Sequence, residues 1–176
     1  MKIIFIIFFS FLLSTSTFSQ SYNFNVGGGI GIGSIKGNLP SQTSFSGKAF
    51  IELEPFIIPL NSIQFAFTFA QKLEKIIPEN RNNKYYPFIK SLSLIGKSEQ
   101  FVTENLFIEE GFGLLLLNDR TYDDINTWNY GFVLNASGGT YLNRKTKISI
   151  ACDYGLTLNN TNASYFFIMT EINYQL

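Results

Sequence analysis

Histidine is absent from all 176 residues, and cysteine occurs once, at Cys152. Without histidine, Ser/His/Asp and Cys/His nucleophilic systems are excluded together with the common His-bearing zinc sites. A single cysteine excludes an internal disulfide. It also lies far from the N-terminus, where a lipoprotein would carry its acyl chains, so stability must come from packing, hydrogen bonding or a membrane. Neither sign of charge dominates, since 13 basic residues face 13 acidic ones. That balance leaves no electrostatic footprint for nucleic acid. The sequence also lacks an apolar run of the roughly 20 residues needed for a transmembrane helix, and it shows no sustained helical periodicity.

What is present begins with an export pattern. Lys2 gives a positive start, Ile3 to Leu13 reads IIFIIFFSFLL, and the small, polar STSTFS follows, with Thr17 and Ser19 suitably placed before a cleavage point. The sequence therefore predicts a cleaved signal peptide over residues 1–19 and one domain over residues 20–176, beginning near Gln20. No later shift in composition suggests a second domain.

Beyond the signal, apolar residues recur with a period of two, the signature of strands with one apolar face. In YNFNVGGGIGIG, Tyr22, Phe24, Val26, Gly28, Ile30 and Ile32 share a face, while Asn23, Asn25 and four glycines take the other. Ala49, Ile51 and Leu53 oppose Lys48, Glu52 and Glu54, with Phe50 as an exception. Ile63, Phe65, Phe67 and Phe69 oppose Gln64, Ala66, Thr68 and Ala70. Further strands are expected at Tyr85 to Gly96, Val102 to Leu117, Trp128 to Tyr141, Thr146 to Leu158 and Ser164 to Leu176. Eight strands of this length suit a tilted crossing of a bilayer.

The connections alternate. Long polar segments at Ser34 to Phe45, Lys72 to Lys84 and Asn118 to Thr127, with a shorter one at Asn159 to Ala163, are interleaved with turns at Ile58 to Asn61, Lys97 to Phe101 and Leu142 to Lys145. Long external loops, short periplasmic turns and an even strand number describe an outer-membrane barrel. If the first strand runs outward, Tyr22, Tyr141 and Tyr174 fall near the inner rim. Tyr85, Tyr86, Trp128, Tyr130 and Tyr165 then fall near the outer one, which sketches two interfacial aromatic girdles.

The strand rhythm, the FIEEGFGLLLL and YGFVLNASGGTYLN segments and the terminal INYQL give a chain that resembles the small outer-membrane β-barrel domain family of the OmpA and OmpX transmembrane type. The resemblance covers nearly all of residues 20–176. It implies an eight-stranded antiparallel up-and-down transmembrane β-barrel in a bacterial outer membrane, with outer-membrane lipid around it and the barrel-assembly machinery as a partner during biogenesis. INYQL looks like the C-terminal signal read by that machinery. The family has no common catalytic residues to carry over, and the barrel hydrolases and acyl-transfer enzymes of similar architecture generally use a histidine.

Two segments strain the alternation. Lys90 falls among Tyr86, Phe88, Leu92 and Leu94, and a lysine facing lipid near mid-depth costs about 2–4 kcal/mol. Glu109 and Glu110 are adjacent and point to opposite faces unless a bulge at Gly111 intervenes. A bulge or register change is expected near each.

Several residues invite a chemical reading. Glu52 and Glu54 share a face at a spacing close to that of glycosidase carboxylates. In a narrow barrel, however, side chains fill the interior. Lys48, Glu52, Glu54, Asp153, Glu171 and one of Glu109 or Glu110 then read as a polar plug of ion pairs and hydrogen bonds. Cys152 lies on an apolar face with Ile148, Ile150 and Tyr154 and reads as packing. The Gly27 to Gly33 run continues the alternation instead of opening a helix, so it is a strand making room for large side chains opposite, not a phosphate loop. The triplets at Asn135, Asn159 and Asn162 read as chance matches to a glycosylation pattern. Asp119, Asp123 and Asp124 lack the glycine and glutamate of an EF-hand, and a solvated loop is the favoured reading. No cofactor is implied.

The sequence thus points to a non-enzymatic outer-membrane barrel with a plugged lumen, acting in envelope integrity or through contacts of its external loops, whose partner it does not name. The alternative is a soluble, secreted, lipocalin-like barrel with its apolar faces turned inward on a small hydrophobic ligand. A carboxylate-only barrel enzyme and a passive pore remain as lesser readings.

Overall fold

The computed structural model describes residues 23–37, 40–54, 61–76, 79, 87–121, 127–158 and 162–176. The expected signal peptide, Tyr22, Tyr85, Tyr86, Asp123 and Asp124 lie outside the described residues. Eight strands close into a barrel in simple sequence order: β1 (Asn23–Lys36), β2 (Gln42–Glu54), β3 (Asn61–Lys72), β4 (Phe88–Phe101), β5 (Leu106–Arg120), β6 (Trp128–Asn143), β7 (Thr146–Thr157) and β8 (Ser164–Gln175). Every neighbouring pair is antiparallel, and β1 pairs with β8 to leave no sheet edge. The last residue contributes to closure, because the Leu176 amide donates to the Phe24 carbonyl at 2.9 Å.

The stagger of the barrel follows from its register. Tracing partners from Val26 through Ile51, Phe65, Leu94, Leu114, Phe132, Leu156 and Ser164 returns to Lys36 on β1, ten residues further along. Such a stagger in an eight-stranded barrel tilts the strands by roughly 45° and leaves an interior just wide enough for side chains.

The strands are longer than their apolar stretches suggest. β1 runs to Lys36 and β2 starts at Gln42, so most of the expected Ser34 to Phe45 loop is sheet. β4 takes in Lys97 to Phe101, which the sequence assigns to a turn, and β5 reaches Arg120. A 3-10 turn at Leu73–Ile76 opens the segment between β3 and β4.

The expected bulges are also corrected. Register is continuous through Lys90 and through Glu109, Glu110 and Gly111. The one irregularity in these ladders lies between Tyr141 and Asn143, beside the β6–β7 turn. Lys90 needs no bulge because β4 begins at Phe88, which puts the lysine near a strand end instead of at mid-depth. Its ammonium lies 5.5 Å from the centre of the Phe88 ring. Glu109 and Glu110 simply take opposite faces, buried and exposed.

The period-two pattern resolves into an inside and an outside. Ile30, Ile32, Phe65, Leu94, Phe112, Leu114, Leu134, Ile150, Ile168 and Ile172 are all exposed on the outer surface. Lys48, Glu52, Lys97, Glu109, Asp153 and Glu171 are all buried. Phe50, the exception in β2, points inward. The glycines of β1 explain why it fits, since a Cβ at Gly27 would lie 2.3 Å from the Phe50 ring. Likewise, a Cβ at Gly31 would come within 2.5 Å of Met169 Cγ.

Candidate functional site

The lumen is the most chemically distinctive part of the molecule, and it has two halves. At the end where β1 begins and β8 finishes, inward positions of β2, β4, β5, β7 and β8 bring ionised side chains together. Lys48 Nζ lies 2.9 Å from both Asp153 Oδ2 and Glu171 Oε1. Asn135 Nδ2 donates to the other Asp153 oxygen at 2.5 Å. Lys97 Nζ is 2.5 Å from Glu109 and 3.4 Å from Glu52. Lys147 pairs with Glu109 as well, and with Glu99 at 3.1 Å and Glu52 at 3.8 Å. Gln64 Nε2 donates to Glu52 at 3.3 Å, and Ser137 Oγ donates to Glu109 at 2.9 Å. Each lysine is therefore shared by two or more carboxylates, the arrangement that offsets the desolvation of a buried charge.

At the other end, toward the longer connections, the same inward positions turn apolar. Ile35, Ile89, Leu115, Leu117, Tyr165 and Phe167 belong to one buried cluster. The rings of Tyr165 and Phe167 stack at 4.8 Å between centroids with an interplanar angle of 15°.

The structure places the expected site residues as follows. Lys48, Glu52, Glu109, Asp153 and Glu171 point into the lumen and meet there. Glu54 also points inward but sits half-buried at the rim, where Asn23 and Asn25 each donate to it at 2.9 Å. Glu110 is excluded from the lumen and exposed on the outer wall, because alternation gives the inside to Glu109. Of the expected aromatic girdle, Trp128, Tyr130 and Tyr174 are exposed on the outer face. Tyr141 and Tyr165 are not. Tyr141 lies on the inward set of β6 and donates through its hydroxyl to Glu99 at 2.7 Å. Tyr165 is only 3% exposed, inside the apolar cluster. Both have the parity of inward positions on their strands, and position near a strand end does not decide face.

The sequence reading missed Lys97, Glu99 and Lys147. The first two fall in a segment read as a turn. Lys147 was legible by parity, lying opposite Ile148, Ile150 and Cys152 on β7. The Glu52–Glu54 spacing does not make a catalytic pair, since Glu52 is 1% exposed and engaged by Lys97, Lys147 and Gln64. Asp119 accepts hydrogen bonds from the Thr121 amide and hydroxyl at 2.9 and 2.7 Å. These are the contacts of a local turn.

No protein-family model and no curated protein sequence matches the chain. Solved structures do match. A crystal structure of Neisserial surface protein A superposes with a TM-score of 0.73 at 10% identity, covering 89% of this chain and all of that one. The attachment invasion locus protein Ail of Yersinia pestis gives 0.52 at 9% identity, with the same coverage. The outer membrane enzyme PagL also gives 0.52, at 10% identity, over 86% of this chain and 99% of that one. The chain has the fold of the small outer-membrane barrels. At such identities the likeness concerns the fold and transfers no residue role, and PagL marks that the same fold can carry an active site.

Proposed function

We propose that this chain is an integral protein of a bacterial outer membrane, exported by the signal over residues 1–19, non-enzymatic, with a plugged lumen and its task in envelope integrity or loop-mediated surface contacts. One observation carries the reading: every strand carries large apolar side chains on its outward face, while Lys48, Glu52, Lys97, Glu109, Lys147, Asp153 and Glu171 are closed inside. In water that outer surface would be an exposed apolar patch far larger than soluble proteins tolerate. In a bilayer it is the required lipid-facing band. The same observation counts against a lipocalin-like carrier, whose apolar faces must line the cavity. The plug is supported by both halves of the lumen, one filled by rings and aliphatic chains and the other by paired charges. The absence of histidine in the sequence and the engagement of Glu52 favour a non-enzymatic role.

Trp128 is the single tryptophan and lies exposed on the outer face, so it serves as a built-in reporter. On refolding into lipid vesicles, its emission should shift to the blue, and the unboiled protein should migrate differently from the boiled one in a gel, only when lipid or detergent is present. A soluble monomer formed without either would overturn the membrane reading. Reproducible single-channel conductance would overturn the plug.

A further inference from the structure

Glu110 is the one acidic side chain that the described strands turn outward. It makes no ion pair or hydrogen bond among the described residues, and it lines a groove of about 760 Å³ on the outer wall. The groove follows the register. Ser98, Glu110, Ala136 and Cys152 are successive partners across β4 to β7, a row of short side chains with a single longer one. The adjoining row includes Phe112, Leu134 and Tyr154, which stand exposed and form one wall. Three interstrand spacings make the trough about 14 Å long. Strand tilt carries it obliquely away from the end where β1 begins and β8 finishes. Glu110 is the fifth residue of β5, close to that end.

We propose that this groove seats one phospholipid with a primary ammonium head group, its acyl chain along Ala136 and Cys152 and its ammonium on Glu110. The proposal rests on the membrane reading above. The nearby Lys97 lines the groove but commits its ammonium to Glu109 and Glu52 inside the barrel, so the Glu110 carboxylate is an acceptor awaiting a cation, and a primary ammonium brings the charge together with three N–H donors. The Ser98 hydroxyl, next to Glu110 in the row, adds a second acceptor for it. A quaternary ammonium has the charge without the donors, and a phosphoglycerol head group has hydroxyl donors without the charge. A second copy of this chain would meet the groove with the same carboxylate if it bound isologously, which disfavours that occupant.

The test is native mass spectrometry of the folded protein released from nanodiscs of equal parts phosphatidylethanolamine, phosphatidylcholine and phosphatidylglycerol. Phosphatidylethanolamine adducts should exceed each of the others several-fold, and Glu110→Gln should bring them down to the level of phosphatidylcholine. Gly96→Leu should reduce retention of all three lipids by filling the groove. A Cβ at Gly96 meets nothing closer than the Phe112 carbonyl at 3.9 Å, so a side chain can start there without displacing the backbone, and gel mobility of the variant checks that it folds. Equal retention by the wild type, unchanged preference in Glu110→Gln, or protein dimers in place of lipid adducts would overturn the proposal. Gel mobility of the same sample separates the two readings. A chain that forms no detergent-dependent barrel overturns both, whereas a folded barrel without lipid preference overturns this one alone.

Discussion

The two halves of the lumen are built on one alternation yet held together by different physics. Toward the longer connections the filling is apolar, with Leu117 and Phe167 fully buried and Tyr165 stacked on Phe167. Toward the start of β1 and the end of β8 it is ionic, with Lys48, Lys97 and Lys147 spread over Asp153, Glu171, Glu52, Glu109 and Glu99. The apolar half is a matter of volume, and its side chains fit because glycines stand beside them, Gly33 against Phe167 and Gly155 against Tyr165 and Leu115. The ionic half is a matter of pairing, where a missing partner costs more than a missing atom. Losing Lys48 strands both Asp153 and Glu171, whereas Glu52 and Glu109 are each shared by Lys97 and Lys147, and losing one carboxylate leaves each lysine another partner.

That contrast predicts a ranking, measurable by urea unfolding in vesicles with Trp128 fluorescence. Lys48→Met should be the most damaging change, at about 3–5 kcal/mol, because it leaves Asp153 and Glu171 buried without a cation. Combining it with Asp153→Asn and Glu171→Gln should restore much of the loss. A triple variant no more stable than the single one would show that pairing is not what holds this half. Leu117→Ala in the apolar half should cost about 3 kcal/mol from transfer and cavity terms, with no dependence on the charge variants. Gly31→Ala tests volume in the opposite sense. Its methyl would meet Met169 Cγ at 2.5 Å and the Ile168 carbonyl at 2.2 Å, so a loss of about 1–3 kcal/mol is expected, and a neutral result would mean that the β1–β8 seam is loosely packed. The smallest effect should come from Tyr141→Phe, at about 1 kcal/mol, since Glu99 keeps Lys147 when it loses the phenol.

The comparison also explains which features could be read from the sequence. Parity along β1, β2 and β3 sorted Phe24, Ile30, Ile51 and Phe67 from Asn25, Gly29, Glu52 and Ala66 correctly, and even Phe50 was flagged as the odd member of its strand. Strand ends were harder. Lys97 and Glu99 look like turn residues because nothing local distinguishes a polar strand end inside a barrel from a loop. Tyr141 and Tyr165 were assigned by height when their parity was the better guide. The apolar half of the lumen was missed because Leu115 and Leu117 sit in the LLLL run of β5, where alternation is invisible and both faces read alike.

By itself the sequence determined the period, the strand number and the division of each strand into two faces, since these are local properties of backbone and side-chain alternation. Its composition also excluded histidine chemistry and an internal disulfide. Only the tertiary structure decided which face is inside, because that depends on how the sheet closes. Closure with a ten-residue stagger brings Lys48 to Asp153 across 105 positions of chain, turns Glu110 outward into a groove, and stacks Tyr165 within the lumen. Those encounters are set by register summed around eight strands, a quantity that no single segment contains.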